Sequence, residues 1–118
     1  MNPTIIIFKG KEYPTRFGFG AVGKWEDDAG MVISELETLF TADKVSVKNM
    51  SIILKLAYYG IESGLKREGE KIDFTYEDFV EETEFCDFQD IVNVVTYGIQ
   101  KHKKEESENK RQPTKKPK

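Results

Sequence analysis

Four apolar β-formers in succession, Ile5, Ile6, Ile7 and Phe8, are followed by Lys9-Gly10 and then by the mixed stretch Glu12-Tyr13-Pro14-Thr15-Arg16-Phe17. This pattern predicts a β-hairpin over residues 4–17 turning at Lys9-Gly10, because Gly10 tolerates the positive φ of a two-residue turn. That turn sets Ile6 opposite Tyr13 and Ile7 opposite Glu12. Pro14 has no N–H to give to a ladder, so the second strand is an edge there. A lone hairpin is marginal in water, so this one must pack on helices. Over residues 19–29 the period changes to that of a helix, with Phe19, Val22, Trp25 and Ala29 on one side and Gly30 as the stop. A second helix is predicted over residues 32–40, with Ile33, Leu36, Leu39 and Phe40 on one stripe, and a loop over 41–44. The longest amphipathic pattern covers residues 47–65, N-capped by Ser46, with Met50, Ile53, Leu54, Ala57, Tyr58, Ile61 and Leu65 on its apolar face. After the charged loop "KREGEKID", Thr75-Tyr-Glu-Asp78 reads as a capping box opening a short helix with Phe79 and Val80. Asp87 is expected to cap a last helix with Phe88, Ile91, Val92, Val95 and Ile99 inward.

The expected fold is therefore α+β and mostly α: an N-terminal β-hairpin packed on a bundle of four to five helices. Residues 1–102 read as one domain. Residues 103–118, without a hydrophobe to bury, read as a disordered basic C-terminal tail or a fraying extension of the last helix. Charge divides at the same place: the tail holds seven basic and three acidic residues, a balance of +4, against eleven and eighteen, or −7, before it. An acidic body is not the footprint of a duplex-DNA binder, which needs positive charge on a folded face. No apolar run approaches the ~20 residues of a membrane span. The opening Met-Asn-Pro-Thr has neither the basic region nor the apolar stretch of a signal peptide, so export is not expected.

Candidate chemistry is sparse. With one cysteine, Cys86, and one histidine, His102, the chain cannot form an internal disulfide or a cysteine-histidine zinc cluster, and both are read as surface residues. The acid-rich segment Glu77, Asp78, Glu81, Glu82, Glu84, Asp87 and Asp90 lacks the ligand offsets and central glycine of a calcium loop and reads as a solvated face. No GxSxG, HExxH, P-loop lysine or CxxC is present, so no catalytic residue, cofactor or metal is assigned. One motif does invite chemistry: "GFGAVG" at residues 18–23 is a literal G-x-G-x-x-G after a strand and before a helix. A dinucleotide site also needs a parallel βαβ unit with an acid at the end of the second strand. The acid at that distance is Glu37, in the helical stretch "ISELETLF", and no later strand pattern exists. Gly18, Gly20 and Gly23 are therefore expected to form a structural hinge, thin enough to pack on the hairpin and pinned by Phe17, Phe19 and Trp25. Each helical glycine costs about 1 kcal/mol relative to alanine, so on this reading Gly20→Ala should lower stability. Adjacent tyrosines Tyr58 and Tyr59 point about 100° apart on a helix, which places one of them at a rim. Trp25, Tyr58 and Tyr59 are the candidate protein-binding residues.

The order of these features resembles the tail assembly chaperones of long-tailed bacteriophages and prophages. The likeness is carried by Gly10-Lys11-Glu12-Tyr13-Pro14, by Phe17-Gly18-Phe19-Gly20-Ala21 leading into a helix, and by Ala57-Tyr58-Tyr59-Gly60 in a later one, and it spans nearly all of the chain before the tail. The resemblance implies a non-enzymatic protein of the host cytoplasm that coats the tape-measure protein, helps recruit tail-tube protein and is absent from the finished virion. It also implies a longer frameshifted form, for which an adenine run coding Lys115-Lys116 would supply the slip. Self-association through the hairpin edge or exposed aromatics is expected; a membrane partner is not. The alternatives are a head–tail connector or tail-completion protein and, further off, a small regulator that binds nucleic acid through the basic tail.

Overall fold

A computed structural model describes residues 4–36 and 46–115, with side chains as far as Lys101. Strands β1 (Ile5–Phe8) and β2 (Lys11–Pro14) form an antiparallel hairpin in the expected register, Ile6 opposite Tyr13 and Ile7 opposite Glu12. Lys9 and Gly10 both take positive φ, 54° and 75°, the primed turn whose twist matches that of the strands. Alternation does the rest: Ile6, Phe8 and Tyr13 are buried, while Ile7 and Glu12 face outward.

Three helices pack against this hairpin and a fourth closes the core. Helix α1 (Phe19–Ala29) ends at Gly30, whose left-handed backbone donates its N–H to the Glu26 carbonyl. Of the helix expected over residues 32–40, the described part is only a single 3₁₀ turn, Ile33–Glu35, and residues 37–40, with the loop expected over 41–44, lie outside the described residues. Helix α2 (Val47–Arg67) starts where Ser46 accepts from the Asn49 N–H. Helix α3 (Tyr76–Glu82) starts where Thr75 accepts from the Asp78 N–H. Helix α4 begins at Phe85, so Asp87 stands in its first turn rather than at its cap, still where a carboxylate favours the helix dipole. The backbone of α4 is helical to Lys115, as the second of the two expectations for the tail, an extension of the last helix, has it. No helix among the described residues is long and apolar enough to cross a membrane.

The core is centred on α2, whose Ile53, Leu56, Ala57 and Ile61 are almost fully buried with Trp25, Phe79 and Val95. An aromatic cluster joins the hairpin to the later elements: Phe8 lies 4.6 Å from Phe74 and 5.2 Å from Phe79, and Tyr13 lies 5.1 Å from Phe74, centroid to centroid. Three ring polar groups find main-chain acceptors. Trp25 Nε1 donates to the Ile52 carbonyl at 2.9 Å, Tyr76 to that of Ser51 at 2.9 Å, and Tyr58 to that of Phe74 at 3.0 Å. Each of these rings is thus fixed in orientation with its own polar atom paired.

The glycine hinge comes out differently from its expectation. Nothing lies within 4 Å of where a Cβ would stand on Gly20 or Gly23, so neither thins the helix for packing, and the predicted loss on Gly20→Ala is reversed. Phe19 is 75% exposed and stands outside the buried core. The reason is angular: at about 100° per residue the buried side of α1 runs through Ala21, Val22 and Trp25, which leaves Phe19 to one side and Gly20 opposite. Phe17 and Trp25 do hold the junction. The close approach occurs on other glycines, Gly60 and Gly64 of α2 and Gly98 of α4. The chain from Pro14 to Phe17 runs directly over Gly60 and Gly64, with the Arg16 N–H donating to the Gly60 carbonyl at 2.9 Å. A Cβ on Gly64 would stand 2.7 Å from the Pro14 carbonyl carbon, and one on Gly60 2.5 Å from Phe17 Cζ. On the far side of the same ring, a Cβ on Gly98 would stand 3.0 Å from Phe17 Cε2. Phe17 is gripped between two helices that both lack a side chain at the contact.

Candidate protein-binding surfaces

The strand-to-helix junction that Phe17 anchors also forms one wall of an open groove of about 790 Å³. Its other walls are the C-terminal turn of α2, with Gly64, Arg67 and Glu68, and the stretch Tyr97, Gly98 and Lys101 of α4. Glycines at the floor bring the walls close, and larger side chains stand at the mouth: Phe19 is 75% exposed and Tyr97 40%. Arg16, Arg67 and Lys101 add three positive charges against the single carboxylate of Glu68. The groove can therefore take an apolar group flanked by carboxylates, since Arg and Lys on a rim recognise anions while aromatics supply area.

A second groove, about 520 Å³, lies where the outer side of β1 meets the first turns of α4. Ile5, Ile7, Ile91 and Val94 line it and Glu12, Asp87 and Asp90 rim it, so its charge is opposite in sign. Ile7 is 64% exposed, and Phe85, two residues before Asp87 on α4, is 75% exposed. Glu81, Glu82 and Glu84 precede Phe85, all exposed, as the solvated acidic face was expected to be. Glu84, Cys86 and Asp87 bring one ligand atom each within 4.8 Å of one another, all on the surface. The Asp87 charge, with Glu84 beside it, pushes the Cys86 thiol up, which keeps it protonated and a poor nucleophile or ligand. The side chain of His102 lies outside the described residues.

The three candidate binding residues divide. Trp25 is fully buried, so its role is structural and it offers no surface to a partner. Tyr58 is half-buried and turned into the aromatic cluster, with burial pushing its phenol up. Tyr59 lies at the α1–α2 seam, where its hydroxyl donates to the Asp28 carboxylate. That bond, with Lys55 3.6 Å away, holds Asp28 below the usual carboxylate range; burial, then the same bond, pushes Tyr59 well above its ordinary value. Neither tyrosine lines a groove. Of the hinge glycines only Gly18 does, as the N-cap of α1. The residues that sequence reasoning missed are Arg16, Arg67, Tyr97 and Lys101. One signal was present: Gly60-x-x-x-Gly64 within a strong helix pattern marks a strip where another backbone can lie close.

Comparison with known protein families, with curated proteins and with solved structures returns no match.

Proposed function

We propose that this chain is a non-enzymatic assembly chaperone of bacteriophage tails, which binds the tape-measure protein and helps recruit tail-tube subunits in the host cytoplasm. The observation that carries the reading is the pair of open grooves with large apolar side chains at their mouths, Phe19 and Tyr97 at one and Ile7 beside the other. Such grooves suit helix-in-groove recognition, in which an amphipathic client helix lays its apolar stripe between the walls. The sequence likeness supplies the kind of client, a long protein of hydrophobic helices that needs to be kept soluble.

The reading expects a very long helical open reading frame immediately downstream of this chain's gene, and the test is co-expression with its product. The client should move from pellet to supernatant and co-elute with this chain. A client that stays insoluble, or a soluble client that elutes alone, refutes the reading. Mass spectrometry of purified virions separates the alternative, because a head–tail connector or tail-completion protein remains in the particle and a chaperone does not.

A further inference from the structure

Strand β1 has a neighbour on one side only, because the sheet stops at two strands. The two-residue turn makes Phe8 and Lys11 a hydrogen-bonded pair, and bonded and non-bonded pairs alternate from there along an antiparallel ladder. Ile6 and Tyr13 therefore bond across the hairpin, and one step beyond Ile5 and Pro14 the Thr15 N–H donates to the Thr4 carbonyl at 2.9 Å. Pro14, which has no N–H, falls opposite Ile5 at a non-bonded position. The N–H and C=O groups of Ile5 and Ile7 are thereby turned to the other edge, where no main-chain group of the described residues meets them. The acidic groove lies along that edge, with Ile5 and Ile7 on one wall, Ile91 and Val94 on the other, and Glu12, Asp87 and Asp90 at the rim. All three carboxylates are exposed, and none is in an ion pair with a described residue.

We propose that the free edge of β1 is a strand-addition site for an extended segment of another protein in which Val or Ile alternates with Lys or Arg. Main-chain bonds to Ile5 and Ile7 would hold such a segment, as in other cases where a peptide extends a sheet. Alternation sorts its side chains: one set meets the apolar walls, and the other stands at the rim, where Glu12, Asp87 and Asp90 take the cations. A helix would leave the edge groups of Ile5 and Ile7 unpaired, since its own are spent internally, so a helical client belongs to the basic groove. Charge argues against a second copy, because two β1 edges laid together would bring both sets of rim carboxylates to one seam. The chain's own basic tail is carried away from the site, since α4 is helical throughout and sets Lys103 about 20 Å along the axis from Asp90. This inference goes beyond the phage-tail reading and does not rest on it.

The probe is the acetylated and amidated peptide Lys-Val-Lys-Val-Lys-Val-Lys, titrated into the full chain in low salt. Binding is read by fluorescence anisotropy of the labelled peptide, and amide exchange at Ile5, Ile6 and Ile7 by NMR. At saturation the Ile5 and Ile7 amides should exchange about tenfold or more slowly, while Ile6, already bonded to Tyr13, changes little. The same peptide N-methylated at two adjacent central residues keeps every charge but blocks both of its edges, and should bind about tenfold or more weakly. A version with Glu in place of Lys should not bind. The pair Asp87→Lys with Asp90→Lys should weaken binding about tenfold or more; both positions are exposed, and circular dichroism checks the fold. No binding of the basic peptide overturns the proposal, and so does unchanged exchange at Ile5 and Ile7. Equal affinity of the N-methylated peptide, or of the charge-reversed chain, means attraction without strand addition and also overturns it. Protection of Ile5 and Ile7 that rises with protein concentration in the absence of peptide assigns the edge to a second copy, which overturns it as well.

Discussion

Gly64→Ala and Gly23→Ala are the same chemical change on two helices, and the structure gives them opposite signs. At Gly64 the added methyl would stand 2.7 Å from the Pro14 carbonyl carbon and 3.0 Å from Thr15 Cα. Ordinary carbon contacts lie near ~3.5–4.0 Å, so a gap of about 1 Å must open. The obstructing atoms are main chain, tied to α2 by the Arg16 N–H to Gly60 bond and, through Thr15, to the Thr4 carbonyl just ahead of β1, so they cannot rotate away as a side chain would. Overpacking of this kind costs about 1–3 kcal/mol, and forced backbone movement lies at the upper end. Helix propensity returns up to about 1 kcal/mol, which leaves a net loss of about 1–2 kcal/mol. At Gly23 no atom stands within 4 Å, so propensity acts alone and the chain should gain about 0.5–1 kcal/mol. The assay is urea unfolding followed by the fluorescence of Trp25, the only tryptophan and fully buried. For a domain of this size 1 kcal/mol corresponds to about 4–8 °C in Tm, so thermal scans resolve both effects. Gly64→Ala at or above wild-type stability, or Gly23→Ala below it, would refute the close-approach reading.

Burial, and for Tyr59 the bond to Asp28, holds the phenols of Tyr58, Tyr59 and Tyr76 above the ordinary value of 10.0. Their contribution is therefore complete below pH 10 and is lost as pH rises, because the unfolded chain ionises first. Each such tyrosine can steepen the fall by up to about 1.4 kcal/mol per pH unit. Urea midpoints should thus hold between pH 8 and 9 and drop between about 10 and 11, less steeply in a Tyr58→Phe, Tyr76→Phe variant; equal slopes in variant and wild type would refute the assignment. Thr75→Ala removes the acceptor for the Asp78 N–H and should cost about 1 kcal/mol in urea unfolding, with Thr75→Ser recovering most of it. An unchanged midpoint for the alanine variant would mean that the cap does not hold α3.

Features whose causes are local were legible in the sequence. Lys9-Gly10 fixes the hairpin register by turn chemistry alone, and Ser46 and Thr75 announce their helices because a cap is a contact across three residues. Gly30 ends α1 for the same kind of reason. The failures fall where the cause is tertiary. Glycine has no side chain to declare which face it occupies, so the three in "GFGAVG" and the three that grip Phe17 and Pro14 look alike until the helices are packed. Phe19 was misplaced because hydrophobic periodicity at a helix end does not fix which edge of the stripe meets the core. The basic groove was illegible because Arg16, Arg67 and Lys101 come from three distant elements, each with an ordinary solvated charge when read alone.

The grip on Phe17 also bears on the order in which the chain can fold. Gly60 and Gly98 each weaken the helix that carries them, so neither α2 nor α4 has its full intrinsic tendency to form in isolation. The stabilising partner of both is one phenylalanine near the other end of the chain, reached only after long loops have closed. Hairpin, α2 and α4 therefore share a meeting point at this ring, and a chain cut before α4 would leave Phe17 with one of its two jaws. Any loosening at the ring is therefore felt at once in the hairpin junction and in both helices.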